Sequence, residues 1–159
     1  MNRSIHISRT NPEHLDFRKL IALLDENLSI NNGEDHAFFT QFNKTDTIKH
    51  AIVAYIDGSA VGCGAIKEYG EGVMEIKRMF VHPEFRRQGI ARQILEQLEH
   101  WANEMKYETC ILETGNKQKE AVTLYQKVGY EVIPNFGPYE KVESSICMQK
   151  KLKDLSSAV

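Results

Sequence analysis

Apolar residues alternate with polar ones in some segments and recur every three or four in others, and the switches between these periods divide the chain into elements. Ser4–Ser8 alternates and predicts a short strand. Leu15, Leu20, Ile21, Leu23 and Leu24 recur at helical spacing, which predicts a helix to about Glu26 with Pro12 near its start. A second, short helix is expected over Ala37–Phe42. Ala51–Ile56 and Ala60–Lys67 read as strands joined by Asp57-Gly58-Ser59, a hairpin signal. Val73–Val81 is the next strand. Ile90, Ile94, Leu95, Leu98, Trp101, Ala102 and Met105 then line one helix face, from about Gly89 to Lys106. Thr109–Glu113 is a strand, Lys119–Val128 a helix stopped by Gly129, and Tyr130–Ile133 and Ser145–Leu152 are final strands. Hairpins followed by a strand–helix–strand crossover imply a mixed α/β fold, a sheet flanked by helices.

The pattern shows no repeat and no linker, so one domain is expected over residues 1–152, followed by a loose tail over 153–159. At 42% apolar and 26% charged residues, the chain has the balance of an ordinary globular protein. A formal net charge of −2 gives no reason to expect nucleic acid as a partner. No apolar run approaches the ~20 residues of a membrane span, and the opening MNRSIHISRT lacks the apolar centre of a secretory signal. Cys63, Cys110 and Cys147 are odd in number and far apart, which fits neither a full disulfide framework nor metal-ligand spacing. No metal and no membrane partner are expected, and the reducing cytoplasm is the expected compartment.

The stretch MFVHPEFRRQGIARQILEQLEHW breaks a local rule. A helix start carries partial positive charge and favours acids, yet this one sits among Arg86, Arg87 and Arg92. Free N–H groups, a glycine that lets a ligand approach and nearby arginines together make an anion site. Bound phosphate would turn the arrangement favourable. A solvated basic turn, with Gly89 as a simple cap, is the other reading. No G-x-x-x-x-G-K-[ST] loop is present. GCGAIK at Gly62–Lys67 lacks the third glycine of a dinucleotide fingerprint and opens no helix, so its glycines are expected to serve close packing.

Arg86-Arg87-Gln88-Gly89-Ile90-Ala91 resembles the R/Q-x-x-G-x-G/A signature of GNAT-type N-acetyltransferases, and it falls between a strand and a long helix as in that family. AVTLYQKVGY, Ala121–Tyr130, resembles the family's A-x-x-L-Y-x-K-x-G-F/Y segment. The element order extends the resemblance over nearly the whole chain. Arg87 stands where the family usually has glycine, and Gln118 where it commonly has asparagine. The resemblance implies the GNAT fold, a mostly antiparallel twisted sheet whose middle strands splay apart. It also implies acetyl-CoA as cosubstrate. The pantetheine arm would meet backbone groups near Met79, Phe80 and Val81, and the pyrophosphate those of Arg87 to Arg92, with Gln118 a further contact.

The same resemblance implies direct attack of an amine on the thioester, with a backbone N–H of Met79–Val81 facing the developing oxyanion. Tyr125 matches the tyrosine that often serves the family as general acid; its spacing alone also suits a core residue. Glu75 matches a position where some members carry a base, and it also suits a lysine-paired strand residue. Glu113 is a second candidate base. Strand alternation expects Glu75, Lys77, Met79 and Val81 on one face and Ile76, Arg78 and Phe80 on the other. His82 could titrate near neutrality, and it directly follows a strand end. The cysteines read as small buried residues rather than acyl carriers. Asn27–Phe42, with Phe38 and Phe39, and the loop Pro134–Glu143, with Tyr139, are the expected walls for an amine acceptor. A non-catalytic acyl-CoA-binding or sensing module is the alternative function, and a homodimer is left open.

Overall fold

The computed structural model describes residues 4–32 and 48–152. The expected Ala37–Phe42 helix, with Phe38 and Phe39, and the tail after Leu152 lie outside the described residues. The elements run β1 (Ile5–Thr10), α1 (Leu15–Asn32), β2 (His50–Ile56), β3 (Ser59–Gly70), β4 (Val73–Val81), α2 (Ile90–Glu104), β5 (Thr109–Gly115), α3 (Lys119–Lys127), β6 (Glu131–Ile133) and β7 (Ser145–Lys151). Short 3₁₀ turns cover Pro83–Phe85 and Gly137–Tyr139.

Most boundaries follow the hydrophobic pattern, and α1 shows what moves the others. Pro12 lies in a turn rather than in the helix. There Asn11 accepts from the Glu13 N–H at 2.8 Å and His14 Nδ1 accepts from the Asp16 N–H at 3.2 Å. The first bond closes the turn over Pro12, and the second caps the helix from His14, so that α1 starts at Leu15. At the other end α1 passes Glu26, because no glycine or proline interrupts residues 25–32. β1 likewise runs past Ser8, since Arg9 and Thr10 find partners in Ile52 and Ala51 of β2.

The strands form one sheet in the order β1-β2-β3-β4-β5-β7-β6. Every neighbouring pair is antiparallel except β4 with β5. That exception follows from α2, which carries the chain back across the sheet. Ile90, Ile94, Leu95, Leu98 and Ala102 of α2 are buried against one face, and Phe17, Leu20 and Leu24 of α1 against the other.

Gly64 explains part of the GCGAIK run. A Cβ there would stand 2.7 Å from Met79 Sδ and 2.9 Å from both Ile94 and Leu98 side-chain carbons. The glycine lets α2 lie close on β3, which is the packing role expected for it. It also faces a bulge. Ala65 pairs with Lys77 and Cys63 with Phe80, so Gly64 alone opposes both Arg78 and Met79. Arg78 takes φ 59° to make room.

Candidate active site

β4 and β5 pair only where Val73, Met74 and Glu75 meet Thr109, Cys110 and Ile111. Beyond that point the strands part. β4 stays on β3 as far as Val81, and β5 stays on β7 as far as Gly115. The edges of Ile76–Val81 and Leu112–Gly115 that turn toward each other therefore have no ladder between them. They line a cleft of ≈ 840 Å³. Backbone groups on such edges can receive an extended ligand as they would an added strand. Met79, Phe80 and Val81 lie along this gap as expected.

One end of the cleft opens on the start of α2. Gly89 caps that helix with φ 80° and ψ 10°, and a Cβ on it would meet nothing within 4 Å. The left-handed conformation requires glycine or a rare substitute. The first described bond back into the helix runs from Gln93 N–H to the Gly89 carbonyl, 3.1 Å. The N–H groups of Ile90, Ala91 and Arg92 therefore have no intrahelical acceptor. The first turn carries no acid.

The basic side chains are placed differently from one another. Arg86 Nε donates to the Val81 carbonyl at 2.9 Å, which ties the turn to the end of β4. Arg87 and Arg92 are exposed and ion-paired to Glu120 and Glu96 at 3.4 and 3.2 Å. Both still line the cleft, whereas Gln88 is exposed and does not. Across the gap, Gln118 precedes α3 with its Nε2 buried and without an acceptor among the described residues. An open helix start among arginines, bare strand edges and an orphaned amide donor suit a cofactor that combines a diphosphate with an amide-bearing arm.

The chemistry-bearing side chains stand where β4 and β5 part. The bulge overturns the expected alternation. Lys77 opposes Ala65 in the α1-side core, so Glu75 and Lys77 face α1. Arg78, the extra residue, also turns to α1, where its Nη2 donates to Asp25 at 2.7 Å. Met79 and Val81 face α2 instead, and Phe80 returns to the α1 side. One inserted residue thus puts Glu75, Lys77 and Arg78 on a single face.

Glu75 and Lys77 are both buried and ion-paired at 3.4 Å. Glu113 comes from β5 and accepts a hydrogen bond from the Ser145 hydroxyl of β7 at 2.6 Å. Burial pushes the Glu113 carboxyl up to about 7, with the Glu75 charge adding to the rise and the Ser145 bond and Lys77 opposing it. A carboxyl tuned to that range can take a proton at neutral pH. Tyr139, expected as part of an acceptor wall, borders the same space and is buried. Tyr125 of α3 lines the cleft as well, stacked edge-on against Tyr130 with centroids 5.9 Å apart. Burial, then the Glu113 charge, raises its phenol, so the hydroxyl keeps its proton. Tyr125 therefore belongs to the core and also borders the cleft.

His82 does not line the cleft; its Nδ1 accepts from the Glu84 N–H at 3.3 Å and caps the Pro83–Phe85 turn. Cys63, Cys110 and Cys147 are free and buried. Burial pushes the Cys63 and Cys110 thiols up to about 12 and Cys147 to about 11, which disfavours the nucleophilic thiolate. Sequence reasoning missed Ser145, because the β5–β7 pairing that brings it to Glu113 leaves no local signal. It also passed over Arg78, although strict alternation put that guanidinium on the same strand face as Ile76 and Phe80, which was a signal in itself.

The sequence pattern of the acetyltransferase (GNAT) family matches residues 17–130. The chain belongs to that family. As a member it is an acyltransferase with acetyl-CoA as cosubstrate. It is 41% identical over 102 residues to an IAA acetyltransferase of Azospirillum brasilense, a match covering 64% of this chain and 67% of that one. It is 36% identical over 93 residues to the uncharacterized N-acetyltransferase YsnE of Bacillus subtilis, covering 57% of this chain and 62% of the other. A crystal structure from Klebsiella pneumoniae, described as an acyl-CoA N-acyltransferase, has 32% identity and a TM-score of 0.78 over 94% of this chain and 98% of its own. The splayed, largely antiparallel sheet is thus the GNAT fold.

Proposed function

We propose that this protein transfers the acetyl group of acetyl-CoA to a primary amine by direct attack within a ternary complex. The observation that carries the reading is the gap between β4 and β5, which runs from the bare start of α2 to the buried Glu75 and the half-buried Glu113. The bound thioester supplies an activated acyl group, and the chain's own residues bind, orient and move protons around it.

Backbone groups of Met79, Phe80 and Val81 hold the pantetheine arm, and one N–H among them faces the carbonyl oxygen as negative charge develops there. The turn from Arg86 through Arg92 and the Gln118 amide hold the rest of the cosubstrate. Glu113 accepts the proton lost by the attacking amine, supported by its carboxyl range near 7. Glu75 stands beside it, and its charge helps keep Glu113 basic. The new C–N bond forms as the C–S bond breaks, and the Tyr125 hydroxyl donates to the departing sulfur. Buried, unreactive cysteines support direct transfer over a covalent acyl-enzyme, and their free state supports a reducing cytoplasm as the working compartment.

A panel of primary amines incubated with acetyl-CoA tests the reading, with release of the CoA thiol and of acetylated amine measured together. Equal amounts of both are expected for at least one class of amine. Stabilisation by acetyl-CoA without thiol release from any amine would make the protein an acyl-CoA-binding module instead.

A further inference from the structure

We propose that the acceptor carries a carboxylate as well as its amine, and that Arg78 binds that carboxylate; the substrate class is the free amino acid. The inference rests on the acetyl-transfer reading for the amine and adds a second recognition element to the same site.

Arg78 lies in the middle of β4, where an apolar residue would ordinarily stand. Its side chain is only 2% exposed. Asp25 takes one of its donors, Nη2, while Nε and Nη1 are buried and have no acceptor among the described residues. A buried donor left unmatched is destabilising, and more so when the group is charged. Asp25 is a partial counter-ion at best, since its own side chain is 48% exposed at the rim. The β4 bulge, with Arg78 at φ 59°, turns this guanidinium to the α1 side of the sheet, where Arg78 lines the cleft beside Glu75 and Lys77. The strand thus holds an uncommon backbone conformation, and that conformation presents a cation with unfilled donors beside the reaction centre.

The neighbouring charges decide which anion fits. Glu75 and Glu113 also line the cleft, and they would repel a doubly charged phosphate. Lys77 already pairs with Glu75. With Glu75 and Lys77 paired, a net acidic pole remains at Glu113, and the unfilled Nε and Nη1 donors of Arg78 form the basic pole. A zwitterion complements both, with its ammonium toward Glu113 and its carboxylate toward Arg78. Charge-assisted bonds to the guanidinium fix the acceptor's orientation, and proton loss to Glu113 then exposes the amine lone pair. An amine that lacks the carboxylate leaves the Arg78 donors unfilled, which is how such a site discriminates.

The test uses matched pairs: glycine, β-alanine, aspartate, phenylalanine and lysine, each beside its primary carboxamide. Calorimetry measures their affinity for the protein saturated with CoA, where no transfer occurs, so the result does not depend on turnover. At least one acid should bind roughly 10- to 100-fold more tightly than its amide, the range of a charge-assisted hydrogen bond. Arg78→Gln should bring that ratio close to one, with acetyl-CoA affinity reporting that the variant is folded. The wild-type ratios decide the matter even if the variant does not fold. If no acid binds more tightly than its amide, the inference is overturned. The amine panel with acetyl-CoA judges the acetyl-transfer reading separately, through thiol release.

Discussion

The Ser145 hydroxyl of β7 donates to Glu113 of β5 at 2.6 Å, and this bond works against the burial that pushes Glu113 up to about 7. If Glu113 is the base, turnover must rise as pH passes upward through that range, because only the ionised form accepts a proton. Ser145→Ala removes the bond that favours the ionised form. The rising limb of kcat/KM should therefore move to higher pH. A limb that stays in place would separate the Ser145 bond from catalysis.

Glu75 acts on the same limb in the opposite direction. Its negative charge is one cause of the high Glu113 position. Glu75→Gln keeps the shape and removes the charge, so the limb should move to lower pH while a base remains in place. If instead Glu75 were the proton acceptor, the substitution would depress turnover at every pH, by roughly the 10²–10⁴-fold typical of a lost general base. The pH profile of this one variant distinguishes the two carboxylates.

Stability gives Glu113 an independent signature. Its folded carboxyl titrates above the ordinary value of 4.5, so the native state holds its proton longer than the unfolded chain. Between about 4.5 and about 7 the native state binds more protons, and stability falls as pH rises through that window. Glu113→Gln cannot ionise and still accepts from Ser145. Its unfolding free energy should exceed that of the wild type at pH 8, by on the order of 1–3 kcal/mol, with little difference at pH 4. Turnover should fall in the same variant. Equal stability at both pH values would remove the evidence for a buried, perturbed carboxyl.

The sequence displays the parts of this site that are written in consecutive residues. The arginines around Gly89, the helix behind them and the strand before them are local patterns, and all stand in the structure where the hydrophobic periods put them. Tyr125 was legible both as a core residue and as one bordering the cleft because a helical position facing a splayed sheet can be both. The β4 bulge was not legible. Strict alternation is the default for a strand, and the extra residue is accommodated by Gly64 on the neighbouring strand and by the positive φ of Arg78. Ser145 was hidden for a similar reason: its meeting with Glu113 depends on the register of two strands about thirty residues apart in sequence. Functional side chains fixed by cross-strand register are read from structure, and those fixed by helix caps can be read from sequence.

Gly89 allows charge and shape to be separated. At φ 80° any side chain is strained, but asparagine and aspartate tolerate this conformation best and have the same shape. Gly89→Asn should weaken acetyl-CoA binding modestly, through crowding at the helix start. Gly89→Asp adds a negative charge where the diphosphate is proposed to sit, and it should weaken binding much further, with the difference shrinking as salt is raised. Calorimetry on both variants at two ionic strengths checks this. Equal affinities for the two would place the diphosphate away from the start of α2.

Tyr125 is placed to serve two ends, and Tyr125→Phe separates them. The ring packs among Tyr130 and the α2-side core, so phenylalanine keeps the contacts and stability should change by less than about 1 kcal/mol. The hydroxyl is what the substitution removes. Burial and the Glu113 charge raise this phenol well above the ~8.5 of an ordinary thiol. Tyr125 therefore steadies the sulfur chiefly as a hydrogen-bond donor, because full transfer of its proton to a thiolate runs uphill. Thiolate is a tolerable leaving group at neutral pH, so the expected loss in kcat sits near the low end of general-acid effects, roughly 10²-fold. Acetyl-CoA affinity should stay near that of the wild type. Because the thiolate gains most from the donor when it is worst as a leaving group, the deficit should narrow for an acyl donor built on a more acidic thiol. Unchanged kcat with lowered stability would make Tyr125 a packing residue, and departure of the sulfur would then depend on the backbone groups of β4 alone.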